Sequence, residues 1–334
     1  MTLEEKTIPA YLQRKKLLEK GEIPRIRTMG DGLKNLLFRV NSDVQDRMIK
    51  QALARVQIKE RWWTDRKRIF QEKACIEILS GILNPDVIPQ IILEDRTDFI
   101  LVTSAPPRDA VLWEDELGRG RIDLQIAVQC GELLATVHNE TADKPDLKKT
   151  FKDTRAFEQL RIDPFYHRLI QQFPDLKKII ENKVKQLLRT RQVLVLGDVR
   201  PRNVWIDHGQ IYLVDFATTH YGHPSFDLAF YSSDLCLKAM RNNIQKAAFL
   251  EAINVFWNSY FKIAEYEGVE NLEKQVVQDL GCLLLCATDG RQPVTYLDEA
   301  NQDLARRIAQ SLIFTDLEKI EDITEFINRT LIDG

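Results

Sequence analysis

The stretch "VLVLGDVRPRNVWI", residues 193–206, places an unusual set of polar residues between two apolar runs. Asp198 and Asn203 stand five positions apart in it, with Arg200 and Arg202 between them. A plain turn needs none of these charges, because glycine, proline or one short polar side chain is enough to form it. The stretch therefore indicates a functional loop at the end of a strand.

A hairpin follows this loop directly. The runs "NVWID" and "QIYLVD" have the pattern of two short strands joined at His208-Gly209. The hairpin predicts that Asp215, at the end of its second strand, lies near Asp198 and Asn203. Two carboxylates and an amide oxygen suit Mg²⁺, which takes few protein ligands and keeps water or phosphate for its other positions. We therefore predict a magnesium site that handles phosphates.

The first hundred residues have a different pattern. Residues 26–52, "IRTMGDGLKNLLFRVNSDVQDRMIKQA", contain two strand-like stretches around a glycine turn. Apolar residues then recur at helical spacing, which predicts a helix over 64–83. Thr64 is the expected N-cap of this helix, and Asp65 would be favourable in its first turn.

The double proline Pro106-Pro107 follows the strand-like run "FILVTS" at 99–104. Consecutive prolines break regular structure, so we predict a boundary here between an N-terminal lobe, 1–104, and a C-terminal lobe, 105–334. The chain beyond the prolines is predicted to be largely helical, with helices near 122–138, 156–189, 244–266, 270–287 and 300–330.

Composition limits the classes of protein. The chain has 334 residues, 44% of them hydrophobic, which is enough for a buried core and favours two lobes. The formal net charge of −3 argues against a dedicated nucleic-acid binder. The charged N-terminus and the lack of an apolar run of about 18 residues predict a cytoplasmic protein without a membrane span. The oligomeric state is left open.

The cysteines favour a reducing compartment. They are odd in number and scattered among apolar residues, which is typical of buried thiols rather than of a disulfide framework. Cys282 and Cys286 would share a helix face, but no Cys or His lies near them in the sequence, so we expect no metal there. The five cysteines are Cys75, Cys130, Cys236, Cys282 and Cys286.

The pattern "LGDVRPRNVWID…IYLVDF", followed by "HYGHPSFDLAF", resembles the aminoglycoside phosphotransferase, choline kinase and methylthioribose kinase superfamily. That superfamily has His-Gly-Asp, four residues, Asn, and then a second Asp in a short strand. "TMGDGLKNLLFRV", "MIKQAL", "GELLATVH" and "DGRQPVTYL" are also similar to segments of its members. The resemblance implies a two-lobed, protein-kinase-like α+β fold, with a small β-rich N-terminal lobe and a larger, mostly helical C-terminal lobe.

The resemblance also implies roles for the residues of the loop and hairpin. Asp198 would be the base that takes the proton from the acceptor hydroxyl. Asn203 and Asp215 would hold Mg²⁺ ions that bridge the phosphates of ATP. Asp227, in "SFDLAF", would brace the catalytic loop without reacting.

Further positions would bind the nucleotide. Lys50 would reach the α- and β-phosphates, with Glu72 as its carboxylate partner and Glu77 as the alternative. Gly30 and Gly32 would let the backbone approach the phosphates closely. The backbone of Thr103 to Ala105 would contact adenine.

One position departs from the superfamily pattern. Leu196 stands where the side chain of a histidine usually supports the loop, and the side chain of leucine cannot form a hydrogen bond. A nucleotide-binding pseudoenzyme is therefore an alternative to an active kinase. A third hypothesis is a protein kinase. Only eleven residues separate Asp215 from Asp227, which is too few for the long activation segment of a protein kinase.

The resemblance implies that the acceptor is a small molecule with a hydroxyl group. Arg200, Arg202 and Arg291 are candidate substrate contacts, and they favour a neutral or anionic acceptor such as the sugar derivative methylthioribose. An aminoglycoside or choline-type phosphotransferase is the alternative, because the sequence does not place the acidic run "WEDE", residues 113–116, relative to the site.

Overall fold

The structure is a computed structural model of the chain, and it describes residues 1–42, 45–242, 244–314 and 319–333, with the side chains of residues 332 and 333 left out. Contacts divide the chain into two compact units, Met1–Ala110 and Val111–Gly334. The division falls a few residues beyond residue 104, where the sequence places the end of the first lobe. In the described part of the chain, no helix is both long and apolar enough to cross a membrane.

The first unit is built on one antiparallel sheet with strand order β1-β2-β3-β5-β4. The pattern at 26–52 folds as three strands rather than two, because the second predicted stretch is divided into β2, which ends at Asn41, and β3, which begins at Asp46. Ile8, Tyr11 and Leu12 of the first helix share a hydrophobic core with sheet residues that include Val40 and Ile49. The strands are β1 Arg25–Met29, β2 Asn35–Asn41, β3 Asp46–Ala52, β4 Ile91–Asp95 and β5 Ile100–Ser104.

Two helices of this unit, α1 Ile8–Arg14 and α2 Arg68–Leu79, are α-helical. The N-cap predicted at Thr64 is wrong: Lys67 precedes the helix, and the Thr64 hydroxyl donates to the Leu53 carbonyl at 3.1 Å. The side chain of Asp65 accepts from the Lys67 N–H at 2.8 Å. Thr64 therefore ties the entry of the helix to the end of β3 instead of capping it. Short 3₁₀ turns cover Glu5–Thr7 and Pro85–Val87.

The second unit contains two small sheets. β6, β8 and β9 form one, and β7 pairs antiparallel with β10 in the other. The predicted hairpin is confirmed: Asp207 pairs with Gln210, and the two residues between them have positive φ. The strands are β6 Val111–Leu112, β7 Val193–Val195, β8 Val204–Asp207, β9 Gln210–Leu213 and β10 His220–Gly222.

Helices make up most of the second unit. The α-helices are α3 Trp113–Gly118, α4 Leu124–Thr141, α5 Pro145–Thr150, α6 Arg155–Phe157, α7 Arg168–Gln172, α8 Lys177–Arg189, α9 Ser225–Arg241, α10 Lys246–Ile263, α11 Leu272–Asp289, α12 Glu299–Phe314 and α13 Ile320–Asp333. A π-helix covers Glu158–His167, and 3₁₀ turns cover Pro174–Leu176, Pro201–Asn203 and Val269–Asn271.

The long helix predicted over 156–189 is interrupted. The π-helix follows α6, and a 3₁₀ turn that starts at Pro174 separates α7 from α8. Pro164 lies inside the π-helix, where it removes one backbone donor. The sequence prediction also missed α9, whose residues from Ser225 to Ser233 are all buried. Such a helix has no polar face and therefore no helical periodicity.

Candidate active site

The loop that follows β7, residues 196–203, contains the predicted base Asp198, and we call it the catalytic loop after that prediction. Its Gly197 has a φ of 78°, which is unfavourable for other residues. A side chain on Gly197 would also meet Thr218, with a Cβ only 2.6 Å from its Oγ1. The fully buried Asp227 accepts the N–H of Leu196 and of Gly197, both at 2.7 Å. Asp227 thus fixes the backbone immediately before Asp198, in agreement with the bracing role that the resemblance implies.

Two arginines hold the side chain of Asp198. Arg200 Nε donates to Oδ1 at 2.7 Å, and Arg161 Nη2 lies 2.8 Å from Oδ2. Phe230 lies against both cations, with the Arg200 Cζ 4.2 Å and the Arg161 Cζ 5.2 Å from its ring centroid. The carboxylate is therefore oriented from two sides. Arg161 was not found by sequence reasoning, because a single arginine in "QLRIDPF" carries no motif.

Asn203 and Asp215 are brought together by the hairpin. Asn203 Nδ2 donates to the Asp198 carbonyl at 2.9 Å, so the amide is oriented by the loop itself. Its carbonyl accepts the Val214 N–H at 3.0 Å, which places it beside the residue that precedes Asp215. Asp215 has a φ of 69°, a conformation that non-glycine residues rarely adopt and that is concentrated at functional sites.

The side-chain oxygens of Asn203 and Asp215 are of the kind that magnesium prefers. The Asn203 amide and the Asp215 carboxylate have hard oxygens, and because Asn203 Nδ2 is engaged by the Asp198 carbonyl, Oδ1 is the atom of the amide that could bind a metal. In the described residues, no cluster of three or more His, Cys, Asp or Glu side chains could hold a metal. A site with two protein oxygens suits Mg²⁺, which takes its remaining ligands from phosphate and water.

A charged cluster lies beside the catalytic loop, and we call Glu114, Arg200, Asp234, Lys238 and Tyr296 the polar cluster. The helix α3 packs on the 3₁₀ turn of the loop and so places the "WEDE" run here. Lys238 Nζ lies 2.9 Å from Glu114 Oε2 and 2.5 Å from Asp234 Oδ2. The Lys238 Nζ is 5.9 Å from the Tyr296 ring centroid.

The charges of the polar cluster balance one another. Burial raises the pKa of Glu114, and Asp234 raises it further. Burial alone would lower the pKa of Arg200, but Asp198, Asp234 and Glu114 outweigh it and raise the pKa. The pKa of Lys238 is raised in the same way, by Asp234 and Glu114 against burial. Two cations thus face two carboxylates next to Asp198.

In the first unit, the Lys50 ammonium lies 2.7 Å from Glu72 Oε1. Both side chains are largely buried. Strand alternation explains the direction of Lys50, because its neighbour Ile49 faces the core formed with α1. The alternative partner, Glu77, pairs instead with Lys73 one helical turn before it.

The glycine turn between β1 and β2 requires its glycines. Gly30 and Gly32 have φ values of 68° and 66°, and open space surrounds the position of a Cβ at each. The constraint is therefore conformational rather than steric. Asp31 between them accepts the Leu33 N–H at 3.0 Å through its side chain and closes the turn.

The expected adenine contacts at Thr103 to Ala105 have backbone donors that are already engaged. The Ser104 N–H donates to Gln90 at 2.9 Å, and the Ala105 N–H donates to Asp46 at 3.2 Å. Thr103 pairs within the sheet with Met48 and Ile91, and the prolines after Ala105 have no N–H. Backbone carbonyls are therefore what this segment has to offer a base.

The other two arginines named from the sequence take different positions. Arg202 is exposed on the catalytic loop. Arg291 is half-buried, and its N–H donates to the Pro164 carbonyl at 2.9 Å, which joins its turn to the π-helix that carries Arg161.

Comparison with known proteins identifies the family of this chain. Residues 26–266 match the model of the phosphotransferase enzyme family, which also carries the abbreviation APH. Because that match covers most of the chain, the protein belongs to this family. It is a small-molecule kinase that transfers a phosphoryl group to a hydroxyl.

The named relatives to which the chain is similar share about a quarter of its residues. A methylthioribose kinase of Bacillus cereus (strain ATCC 10987 / NRS 248) is 24% identical, and the match covers 96% of this chain and 92% of the relative. A second one, from Bacillus cereus (strain G9842), is 25% identical over 81% of this chain and 80% of its own length.

The fold is similar to that of solved kinases. Amicoumacin kinase hAmiN, in complex with AMP-PNP, Ca²⁺ and Ami, aligns with a TM-score of 0.57 at 15% identity, over 97% of this chain and 100% of that one. Plasmodium vivax ethanolamine kinase aligns with a TM-score of 0.53 at 14% identity, over 99% and 91%. The chain therefore has the protein-kinase-like fold predicted from its sequence.

Proposed function

We propose that the protein transfers the γ-phosphoryl group of Mg-ATP to a hydroxyl of a sugar derivative, with methylthioribose as the favoured acceptor. The observation that carries the proposal is the oriented Asp198 carboxylate beside the Asn203–Asp215 pair. A base and two hard-oxygen ligands on one loop and hairpin are the parts that phosphoryl transfer requires.

In this mechanism, Asp198 accepts the proton of the acceptor hydroxyl. The hydroxyl oxygen of the acceptor attacks the γ-phosphorus, and ADP leaves. Asn203 and Asp215 would hold Mg²⁺, which when bound neutralises charge on the phosphates. Lys50, oriented by Glu72, binds the α- and β-phosphates as a point charge. Gly30 and Gly32 allow close approach of the backbone to the phosphates.

The polar cluster supports a neutral acceptor. Arg200 and Lys238 balance Glu114 and Asp234, so a polycationic aminoglycoside would find no excess of negative charge there. Partly exposed carboxylates and cations are suited to the hydroxyl groups of a sugar, which can both donate and accept hydrogen bonds. The Tyr296 ring adds an apolar face.

The pseudoenzyme remains the second candidate, because the side chain of Leu196 is buried and offers the loop no hydrogen bond. The experiment that separates the candidates measures ADP release from Mg-ATP with methylthioribose, ribose, choline and kanamycin. We expect kcat/KM for methylthioribose to exceed that for kanamycin by at least about a hundredfold, the scale of a few mismatched polar contacts. A reversed ratio would reject the neutral acceptor, and Mg-ATP binding without ADP release would favour the pseudoenzyme.

A further inference from the structure

We propose that Arg161 is a positioning residue for Asp198, and that it supplies the support for the catalytic loop that Leu196 cannot give. The proposal rests on the proposed role of Asp198 as base. It concerns a residue outside the catalytic loop, in the π-helix, and it assigns that residue an effect on turnover that acts only through Asp198.

All three guanidinium nitrogens of Arg161 have partners. Nε donates to the Gly197 carbonyl at 3.1 Å, Nη1 donates to the Leu160 carbonyl at 2.9 Å, and Nη2 binds Asp198 Oδ2 at 2.8 Å. One planar group therefore holds the backbone of one loop residue and the side chain of the next. This double contact fixes the direction in which Asp198 leaves the loop.

Because Arg161 is buried, loss of its contacts with the loop would be costly in free energy. Arg161 is only 3% exposed, and burial lowers the pKa of its guanidinium. A buried cation is strongly destabilising unless its donors are used and a carboxylate lies near. The chain meets both conditions with the loop itself, so displacement of the loop would leave this cation unsatisfied. The arrangement thus resists movement of Asp198.

Arg200 cannot replace this support. It also binds Asp198, but it stands two residues away on the same loop and moves with it. Arg161 belongs to a segment 36 residues before Gly197, so its contact ties the loop to a separate element. The Phe230 ring lies against both cations and limits their movement.

The π-helix accounts for the placement of Arg161. A π-helix is wider than an α-helix and is frequently found at functional sites, where it redirects side chains. Pro164 lies within it, and the Pro164 carbonyl receives the Arg291 N–H, so the segment is held from outside as well. The backbone of Leu196 is held by Asp227 and Thr219, whereas the leucine side chain offers no hydrogen bond, so the contact to the Asp198 carboxylate from outside the loop is made by Arg161.

A double-mutant cycle tests the proposal. Arg161→Met and Arg161→Lys are made in the wild type and in Asp198→Asn, with Arg155→Met, an exposed arginine before the π-helix, as the matched control. In the wild-type background, we expect Arg161→Met to lower kcat with methylthioribose about tenfold to a hundredfold, the scale of one charged hydrogen bond. The Kd for Mg-ATP, measured by calorimetry, should change less than twofold, and Arg161→Lys should restore part of kcat.

In the Asp198→Asn background, Arg161→Met should lower the residual rate by less than twofold. An equal loss in both backgrounds, or an unchanged kcat in the wild-type background, would overturn the proposal. If Arg161→Met melts far below the wild type, the cycle with Arg161→Lys gives the same test.

A crystal structure of Arg161→Lys separates this proposal from the proposed function, because it requires no turnover. We expect the Asp198 side chain and the Gly197 carbonyl to change direction, even if methylthioribose proves not to be the acceptor. A loop unchanged in that structure would reject the positioning role, whereas a displaced loop in a protein that never releases ADP would reject only the function.

Discussion

Two ion pairs of equal length lie in different surroundings in the two units. Lys50 Nζ lies 2.7 Å from Glu72 Oε1, and Arg200 Nε lies 2.7 Å from Asp198 Oδ1. The first pair directs a flexible point charge from a strand. The second belongs to a carboxylate whose other oxygen binds Arg161, so that the direction of the carboxylate itself is fixed. The distance alone therefore does not separate Lys50, which we propose binds phosphate, from Asp198, which we propose takes a single proton.

The largest effects are expected when Asp198 and Asp215 of the second unit are replaced, one at a time, by asparagine. Asp198→Asn should keep Mg-ATP affinity and lower kcat by about 10²- to 10⁴-fold, the usual contribution of a positioned general base. Asp215→Asn should weaken Mg-ATP binding as well, because its oxygen is a metal ligand in the proposal. Calorimetry and steady-state rates measure both effects.

Asp163→Asn, an exposed carboxylate change in the same unit, is the control and should leave affinity and rate unchanged. The assignment of roles would be wrong if Asp198→Asn lost Mg-ATP as completely as Asp215→Asn.

A smaller effect is expected in the first unit. At a concentration of about a hundred times Kd, Mg-ATP should stabilise the wild type by roughly 2.7 kcal/mol, seen as a rise in Tm. Lys50→Ala should remove most of this rise, because the phosphates lose their cation. Glu72→Gln should remove less, since Lys50 remains but is less well directed. Glu77→Gln is the matched control on the same helix, and a loss there equal to that of Glu72→Gln would contradict the pairing.

The smallest effect concerns acid. All five histidines lie in the second unit, and burial is the main reason that the pKa values of His220 and His223 fall to about 4. The unfolded chain then binds more protons than the folded one below about pH 6.5. The contribution of these two histidines to the free energy of unfolding is fully present above that pH. It is lost as the pH falls towards 4, by up to about 1.4 kcal/mol per pH unit for each histidine.

Urea unfolding at pH 7.5, 6 and 5 measures this loss. His220→Asn should have a flatter pH dependence than the wild type, and the difference between the two cancels the carboxylates that titrate in the same range. The exposed His208 gives the control variant His208→Asn, which should follow the wild type. A His220→Asn curve parallel to that of the wild type would show that His220 is not held neutral.

Sequence was most informative where chemistry needs adjacent residues. The spacing of Asp198 and Asn203 predicted the loop, and the turn at His208-Gly209 predicted the hairpin, because both depend on local geometry. The protein-kinase-like fold followed from the same stretch by resemblance. The roles of the site residues stay predictions, although the structure brings Asn203 beside the end of the Asp215 strand.

Sequence failed where the decisive partner is distant. Arg161 acquires its meaning from Gly197 and Asp198, which no local pattern connects to it. Thr64 looked like an N-cap because the rule for caps is local, but the Leu53 carbonyl at the end of β3 competes for its hydroxyl. The helix α9 was missed because nearly all of its residues are buried and its burial depends on packing partners far along the chain.

The segment between Asp215 and Asp227 has a consequence for control of the enzyme. Every residue from Phe216 to Asp227 is buried, and β10 within it is paired with β7. The hydroxyls in this segment are therefore out of reach of modifying enzymes while the chain is folded. A modification of the kind that acts on an exposed loop therefore has no accessible hydroxyl between these two aspartates.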